Sequence, residues 1–245
     1  MCRLHGGAER EPGAGGQCPR HRCECVAEGP ERRRSLAFSS YIKSDPRDFP
    51  GVAAFGGVPM PRLFIAIDLP EVVRQDLCRL NVPIPGSRWV PADQLHLTLA
   101  FLGDVGEERV AGLARALDQV SAAPFRLRFD RLGCFPSRAR PRVLWVGLKP
   151  EPLLLSLADR LREFLRDCCI PQEERPFSPH ITLARLKLPA ARECASFLDR
   201  PLALERTSVS AQEFILFESL LTAAGAIHTP LKRFPLSGGS GGPPA

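Results

Sequence analysis

His96-Leu97-Thr98-Leu99-Ala100 recurs 84 residues later as His180-Ile181-Thr182-Leu183-Ala184. Each copy pairs an imidazole with a hydroxyl across one apolar residue. On a β-strand alternate side chains share a face, so His96 and Thr98 point one way and their leucine neighbours the other. His180 and Thr182 are arranged alike. A short repeat at such long separation suggests two similar halves facing each other, and strands meeting across a pseudo-two-fold axis would converge two imidazoles and two hydroxyls. That set suits in-line displacement at a phosphodiester. One neutral imidazole takes a proton from attacking water, and the other, protonated, gives one to the departing ribose oxygen. The ordinary histidine pKa of about 6.5 serves both tasks. The threonine hydroxyls donate to the non-bridging oxygens, where charge accumulates. The scheme requires no metal and no other cofactor. A lone His-x-Thr is usually an ordinary half-buried histidine. After residue 60, however, the only histidines are His96, His180 and His228, and two of them sit in near-identical contexts.

The elements that must position these groups read as α+β. Strand-like runs are Arg62–Leu69, Gln94–Leu102, Phe125–Gly133, Arg142–Leu148, Pro179–Leu186, Ser208–Leu220 and Thr229–Leu236. Helix-like segments are Glu71–Leu80, Glu107–Val120, Pro152–Asp167 and Ala190–Leu198. Pro70, Pro152 and Pro189 stand where helices begin, where a missing N–H costs little. Residues 1–59 lack periodicity and are rich in Gly, Pro, Arg and Glu, so they are expected to be a disordered extension. Residues 60–236 form the folded domain, and residues 237–245 (SGGSGGPPA) a flexible tail. The folded pattern begins at Met60, which suggests that Met60 is the native start.

Hydrophobic residues make up 44% of the 245 and charged residues 24%, the proportions of an ordinary globular protein. No run approaches the roughly 18 apolar residues that span a bilayer, and the N-terminus lacks the apolar core of a secretory signal. A cytoplasmic protein without membrane contact is expected. The net charge of +6 is shared as +2 before residue 60 and +4 after it, mildly favouring a polyanionic partner. Nine irregularly spaced cysteines suit reduced thiols better than a disulfide framework. Cys18, His21, Cys23 and Cys25 have irregular spacing for zinc. Cys168-Cys169, at a helix end, reads as buried packing rather than a redox pair. P-loop, dinucleotide-binding and zincin motifs are absent.

From Met60 to about Leu236 the chain resembles the 2H phosphoesterase family, in particular the bacterial RNA 2′,3′-cyclic phosphodiesterases once called 2′-5′ RNA ligases. The resemblance rests on PRLFIAIDLP, RWVPADQLHLTLAFLGDV, PRVLWVGL, PFSPHITLARLK and FILFESLLTAAGAIHTPLKRFPL. It implies a two-lobed α+β fold of two mainly antiparallel sheets with outer helices and a central cleft. It also implies metal-independent hydrolysis of cyclic phosphates at RNA or nucleotide ends to 2′-phosphomonoesters. His96 would then protonate the departing 3′ oxygen and His180 would activate water. Arg185 matches a family arginine that contacts the phosphate. Strict alternation places it opposite His180, so that role requires the strand to bend or end near Ala184. Phe101, in the corresponding place of the first motif, either stacks on the terminal base or packs in the core. Where relatives usually carry tyrosine in a closing G-x-x-Y segment, this chain has Gly225-Ala226-Ile227-His228.

A monomer is expected. Two other readings stay open. One is a non-catalytic RNA- or nucleotide-binding module of the same fold, although a binder need not keep two titratable groups facing one phosphorus. The other keeps the site and changes the substrate to ADP-ribose cyclic phosphate, a 2′-5′ oligoadenylate or, in the ligation direction, tRNA halves.

Overall fold

The computed structural model describes residues 61–187, 191–222 and 225–237. The expectations for residues 1–59, the start at Met60, the Cys18–Cys25 cluster, Pro189 and nearly all of the C-terminal tail lie outside the described residues.

In chain order the elements are β1 (Arg62–Asp68), α1 (Glu71–Cys78), β2 (Ser87–Trp89), β3 (His96–Asp104), α2 (Glu107–Ala116), β4 (Phe125–Ser137) and β5 (Arg140–Leu148). There follow α3 (Pro152–Asp167), β6 (His180–Leu186), α4 (Ala191–Asp199), β7 (Ser208–Ala211), β8 (Glu213–Thr222) and β9 (Gly225–Pro235). The fold is α+β, as the pattern of the sequence requires. The strands lie in the order β7-β4-β5-β6-β3-β1-β8-β9, with β2 added to β6, and every pairing is antiparallel. Where β6 meets β3 the ladder narrows to the single pair Leu97–Ile181. The two expected sheets are thus two arms, β7-β4-β5-β6 with β2 on the edge of β6 and β3-β1-β8-β9, joined at one rung. β1-α1…β3-α2 in one arm has its counterpart in β5-α3-β6-α4 of the other.

Burial explains the layers. β1 buries five consecutive residues, Leu63 to Ile67, because both of its faces are covered. α3 spans the expected residues at both ends. It starts at Pro152, whose missing N–H is needed by no partner. Its stripe of Leu154, Leu157, Ala158, Leu161 and Leu165 enters the main core with Leu97, Leu99, Ile181 and Leu183. A separate small cluster, Phe64, Ala66, Ile215 and Phe217, occupies β1 and β8. At the end of α3, Cys169 adopts φ +58°. Its N–H donates to the Arg166 carbonyl and that of Ile170 to Leu165, so the helix closes in a Schellman turn. Cys169 is exposed while Cys168 is half-buried, which corrects the expectation that both pack inside.

Beyond shifts of a few residues at the ends of β3, β4, α1 and α2, three features differ from the sequence pattern. The run Ser208–Leu220 is two strands, β7 on β4 and β8 on β1, at different places in the sheet. Val209 and Ala211, then Phe214 and Leu216, are all buried, so the apolar content continues through a change of arm at Gln212. The expected strand Thr229–Leu236 begins earlier, at Gly225, where it completes a hairpin with β8. β2 is only three residues long and has no periodicity to betray it.

Candidate active site

The two repeated segments give the same burial sequence over seven residues, from His96 to Leu102 and from His180 to Leu186. Histidine and threonine are half-buried, while Leu97, Leu99, Ile181 and Leu183 are buried. The next two residues explain Arg185. In β6, Ala184 pairs with Leu144 and Thr182 with Trp145, so Leu183 is an extra residue in the ladder. In β3, Ala100 pairs with Ile65 and Thr98 with Ala66, which makes Leu99 the extra one. A β-bulge re-phases the strand beyond it. Leu183 and Ala184 are buried in succession, and Arg185 emerges on the face of His180 and Thr182. Phe101 emerges likewise beside His96 and Thr98. It is 57% exposed, which excludes the core-packing alternative.

The antiparallel pair Leu97–Ile181 brings the motifs together. Its register sets His96 on the side of Thr182 and His180 on the side of Thr98. Both imidazoles are held alike. The Nδ1–H of His96 donates to the Gln94 carbonyl at 2.8 Å, and that of His180 to the Ser178 carbonyl at 2.8 Å. A carbonyl can only accept, so Nδ1 carries the proton and each Nε2 is left to exchange one.

Burial pushes the His96 pKa down to about 4, with further lowering by His228 and Arg185 against the opposing Gln94 hydrogen bond. His180 is lowered by burial and by Arg185, against the Ser178 hydrogen bond. One guanidinium therefore acts on both imidazoles. Arg185 itself opens to solvent, while the protein around it lowers its pKa from the ordinary arginine value. Among the described residues it makes no ion pair.

Each histidine has aromatic flanks that the sequence reading missed. His96 lies 4.9 Å from Phe64 and edge-on to His228 at 5.4 Å and 89°. His180 lies 5.0 Å from Phe135 and 6.2 Å from Trp145. The Trp145 ring fills the space above Gly133, where a Cβ would meet it at 2.1 Å. Beside His96 is a polar cavity of about 160 Å³ lined in part by Asp68, Arg74, Asp93, His228 and Arg233. Only the departure from tyrosine at His228 had marked this wall. Among the described residues no three His, Cys, Asp or Glu side chains are grouped to hold a metal ion. No described helix is long and apolar enough to cross a membrane.

The depressed His96 predicts an acid lability. Unfolded, the imidazole titrates near 6.5; folded, near 4. Between these values the unfolded chain binds more protons, so stability falls as pH drops through that window. The loss of Tm between pH 7 and pH 4.5 should be smaller in His96→Gln than in the native chain. Equal losses would show that His96 carries none of it.

Comparison with known proteins bears on the whole arrangement. The sequence model of the LigT like Phosphoesterase family matches twice, over residues 67–145 and 146–228, once around each histidine motif. The RNA 2′,3′-cyclic phosphodiesterase of Thermus thermophilus is 38% identical over 74% of this chain and 92% of its own. Its namesake from Escherichia coli is 36% identical, over 72% and 97%. The crystal structure of E. coli LigT complexed with 3′-AMP superposes with a TM-score of 0.61 at 35% identity, covering 74% of this chain and 99% of that one. Each match holds one histidine strand, β3 in the first and β6 in the second, and the relatives are spanned almost end to end. The chain belongs to the LigT-like phosphoesterase family.

Proposed function

We propose that this protein opens the 2′,3′-cyclic phosphate at the 3′ end of RNA to a 2′-phosphomonoester, with His96 and His180 as its acid–base pair. The observation that carries the reading is the pair of matched imidazoles, each with Nε2 left for proton exchange and both under the field of Arg185. The relatives named RNA 2′,3′-cyclic phosphodiesterase support the substrate class.

In the reaction a water oxygen attacks phosphorus in line with the P–O3′ bond. His180 Nε2 takes the proton from that water. His96 Nε2–H gives its proton to O3′ as the P–O3′ bond breaks, leaving a 3′-hydroxyl and a 2′-phosphate. Exchange with solvent then returns each imidazole to its starting state. Thr98 and Thr182 donate to the non-bridging oxygens, and Arg185 offers a planar pair of charged donors to the same group. Phe101 provides an exposed ring on which the terminal base stacks. His96 is mostly neutral at pH 7 in the empty site. An anionic cyclic phosphate beside it favours the protonated form, so substrate binding helps charge the acid. Both histidine strands come from one chain, which suits a monomer. Cys78, Cys134, Cys169 and Cys194 are free thiols, which fits the cytoplasm.

The test is an RNA oligonucleotide ending in a 2′,3′-cyclic phosphate, incubated in EDTA, with the product end mapped. Conversion to a 2′-phosphate is expected at an undiminished rate. A 3′-phosphate would reverse the regiochemistry, and loss of activity in EDTA would overturn the metal-free mechanism. A folded protein that binds the RNA end and leaves it intact would be a binding module.

A further inference from the structure

The reaction needs one phosphate-binding guanidinium, and Arg185 supplies it; the fold presents a second. β2 pairs with β6 so that Arg88 lies directly across from Arg185. Directly opposed residues project from the same face, which puts Arg88 on the face of His180 and Thr182. Its neighbours fix that direction. The Trp89 Nε1–H donates to the Val82 carbonyl at 3.1 Å, and its ring packs edge-on against Phe197 at 5.6 Å. The Ser87 hydroxyl donates to the Ile84 carbonyl at 2.7 Å. Across the sheet the cleft-face row continues from Arg185 to Val143 on β5 and Phe135 on β4.

The Arg88 side chain also reaches the other arm. A Cβ on Gly225 at the start of β9 would come within 2.4 Å of its guanidinium nitrogen. Gly225 has φ +143° and no side chain, so the guanidinium fits over it. Arg88 thus reaches from β2, beside β6, toward β9, the strand that carries His228. Two guanidinium groups on one face make that end of the cleft favourable to anions. The positive charge that depresses both imidazoles is that of Arg185, with His228 adding to it at His96. Arg88 instead reaches away from β6 toward Gly225, where it can meet an anion beyond the reacting phosphate.

We propose that Arg88 binds the phosphodiester immediately 5′ of the terminal nucleotide, and so makes the site selective for RNA strand ends over mononucleoside 2′,3′-cyclic phosphates. The proposal rests on the cyclic-phosphodiesterase reading and deepens it. A mononucleoside cyclic phosphate carries a single anionic phosphorus, which Arg185 serves. Only a strand end brings a second anion for Arg88.

The experiment compares adenosine 2′,3′-cyclic phosphate with a diadenosine dinucleotide ending in the same cyclic phosphate, for the native chain, Arg88→Gln and Arg88→Lys. The native chain should prefer the dinucleotide about tenfold or more in kcat/KM, the scale of one charge-assisted contact. Arg88→Gln should abolish most of that preference through KM, and Arg88→Lys, which keeps the charge and the stem, should keep part of it. The slope of log kcat/KM for the dinucleotide against log salt should become shallower by about 0.7 in Arg88→Gln, the share of one phosphate contact on a single strand. An unaltered preference, or an equal loss on both substrates, would overturn the assignment. Hydrolysis of neither substrate by the native chain would instead fault the functional reading, and the inference would fall with it.

Discussion

Alanine at His180 is expected to lower kcat by about 10²–10⁴, and alanine at His96 to do the same, with the fold intact in both. Each imidazole has one polar partner, a carbonyl two residues earlier in the chain, which water can serve once the ring is gone. The Leu97–Ile181 rung joining the arms is backbone pairing and does not depend on either ring. Both rings have aromatic neighbours, but His96 is the more buried, among Phe64, Phe217 and His228, so His96→Ala should cost more stability than His180→Ala, by a few degrees of Tm. The double variant should be much less than the product of the two losses, because acid and base serve one concerted displacement. Single-turnover rates on a cyclic-phosphate RNA, read beside thermal melts, would check this. Loss below tenfold in either folded variant would remove that histidine from the chemistry.

How much of this was legible beforehand depends on the range of the forces involved. The repeated pentapeptide made both motifs visible, and α3 was found at both ends because its apolar stripe and Pro152 are local signals. β2 was invisible, because Ser87–Trp89 is a strand only through its pairing with β6. The same holds for the rings around the histidines. Phe135 and Trp145 reach His180 through the β4–β5 and β5–β6 registers, and His228 reaches His96 through the β8–β9 hairpin. The bulge lies between these cases. Leu183-Ala184 before Arg185 breaks strict alternation in the sequence itself, as Leu99-Ala100 does before Phe101. Alternation alone sent Arg185 to the wrong face. Two consecutive apolar residues were the local trace of the extra residue in the ladder.

That bulge leads to the second large effect. Arg185→Ala is expected to lower kcat/KM by about 10²–10³, the scale seen when one preorganised donor to a developing oxyanion is removed. Arg185→Lys should recover only part, because an ammonium keeps the charge and loses the planar pair of donors. A structural role would give a similar loss, so the deciding measurement is the pH profile. Arg185 lowers the pKa of both His96 and His180. Its positive charge disfavours a second positive charge on either ring, and removing it raises both pKa values. The acid and alkaline limbs of kcat/KM, which belong to the coupled pair, should therefore both move to higher pH in Arg185→Ala and stay close to native in Arg185→Lys. A loss of rate with both limbs unmoved would place Arg185 outside the field of the two histidines. Arg185 would then act through the fold, and the reacting phosphate would depend on the threonine hydroxyls.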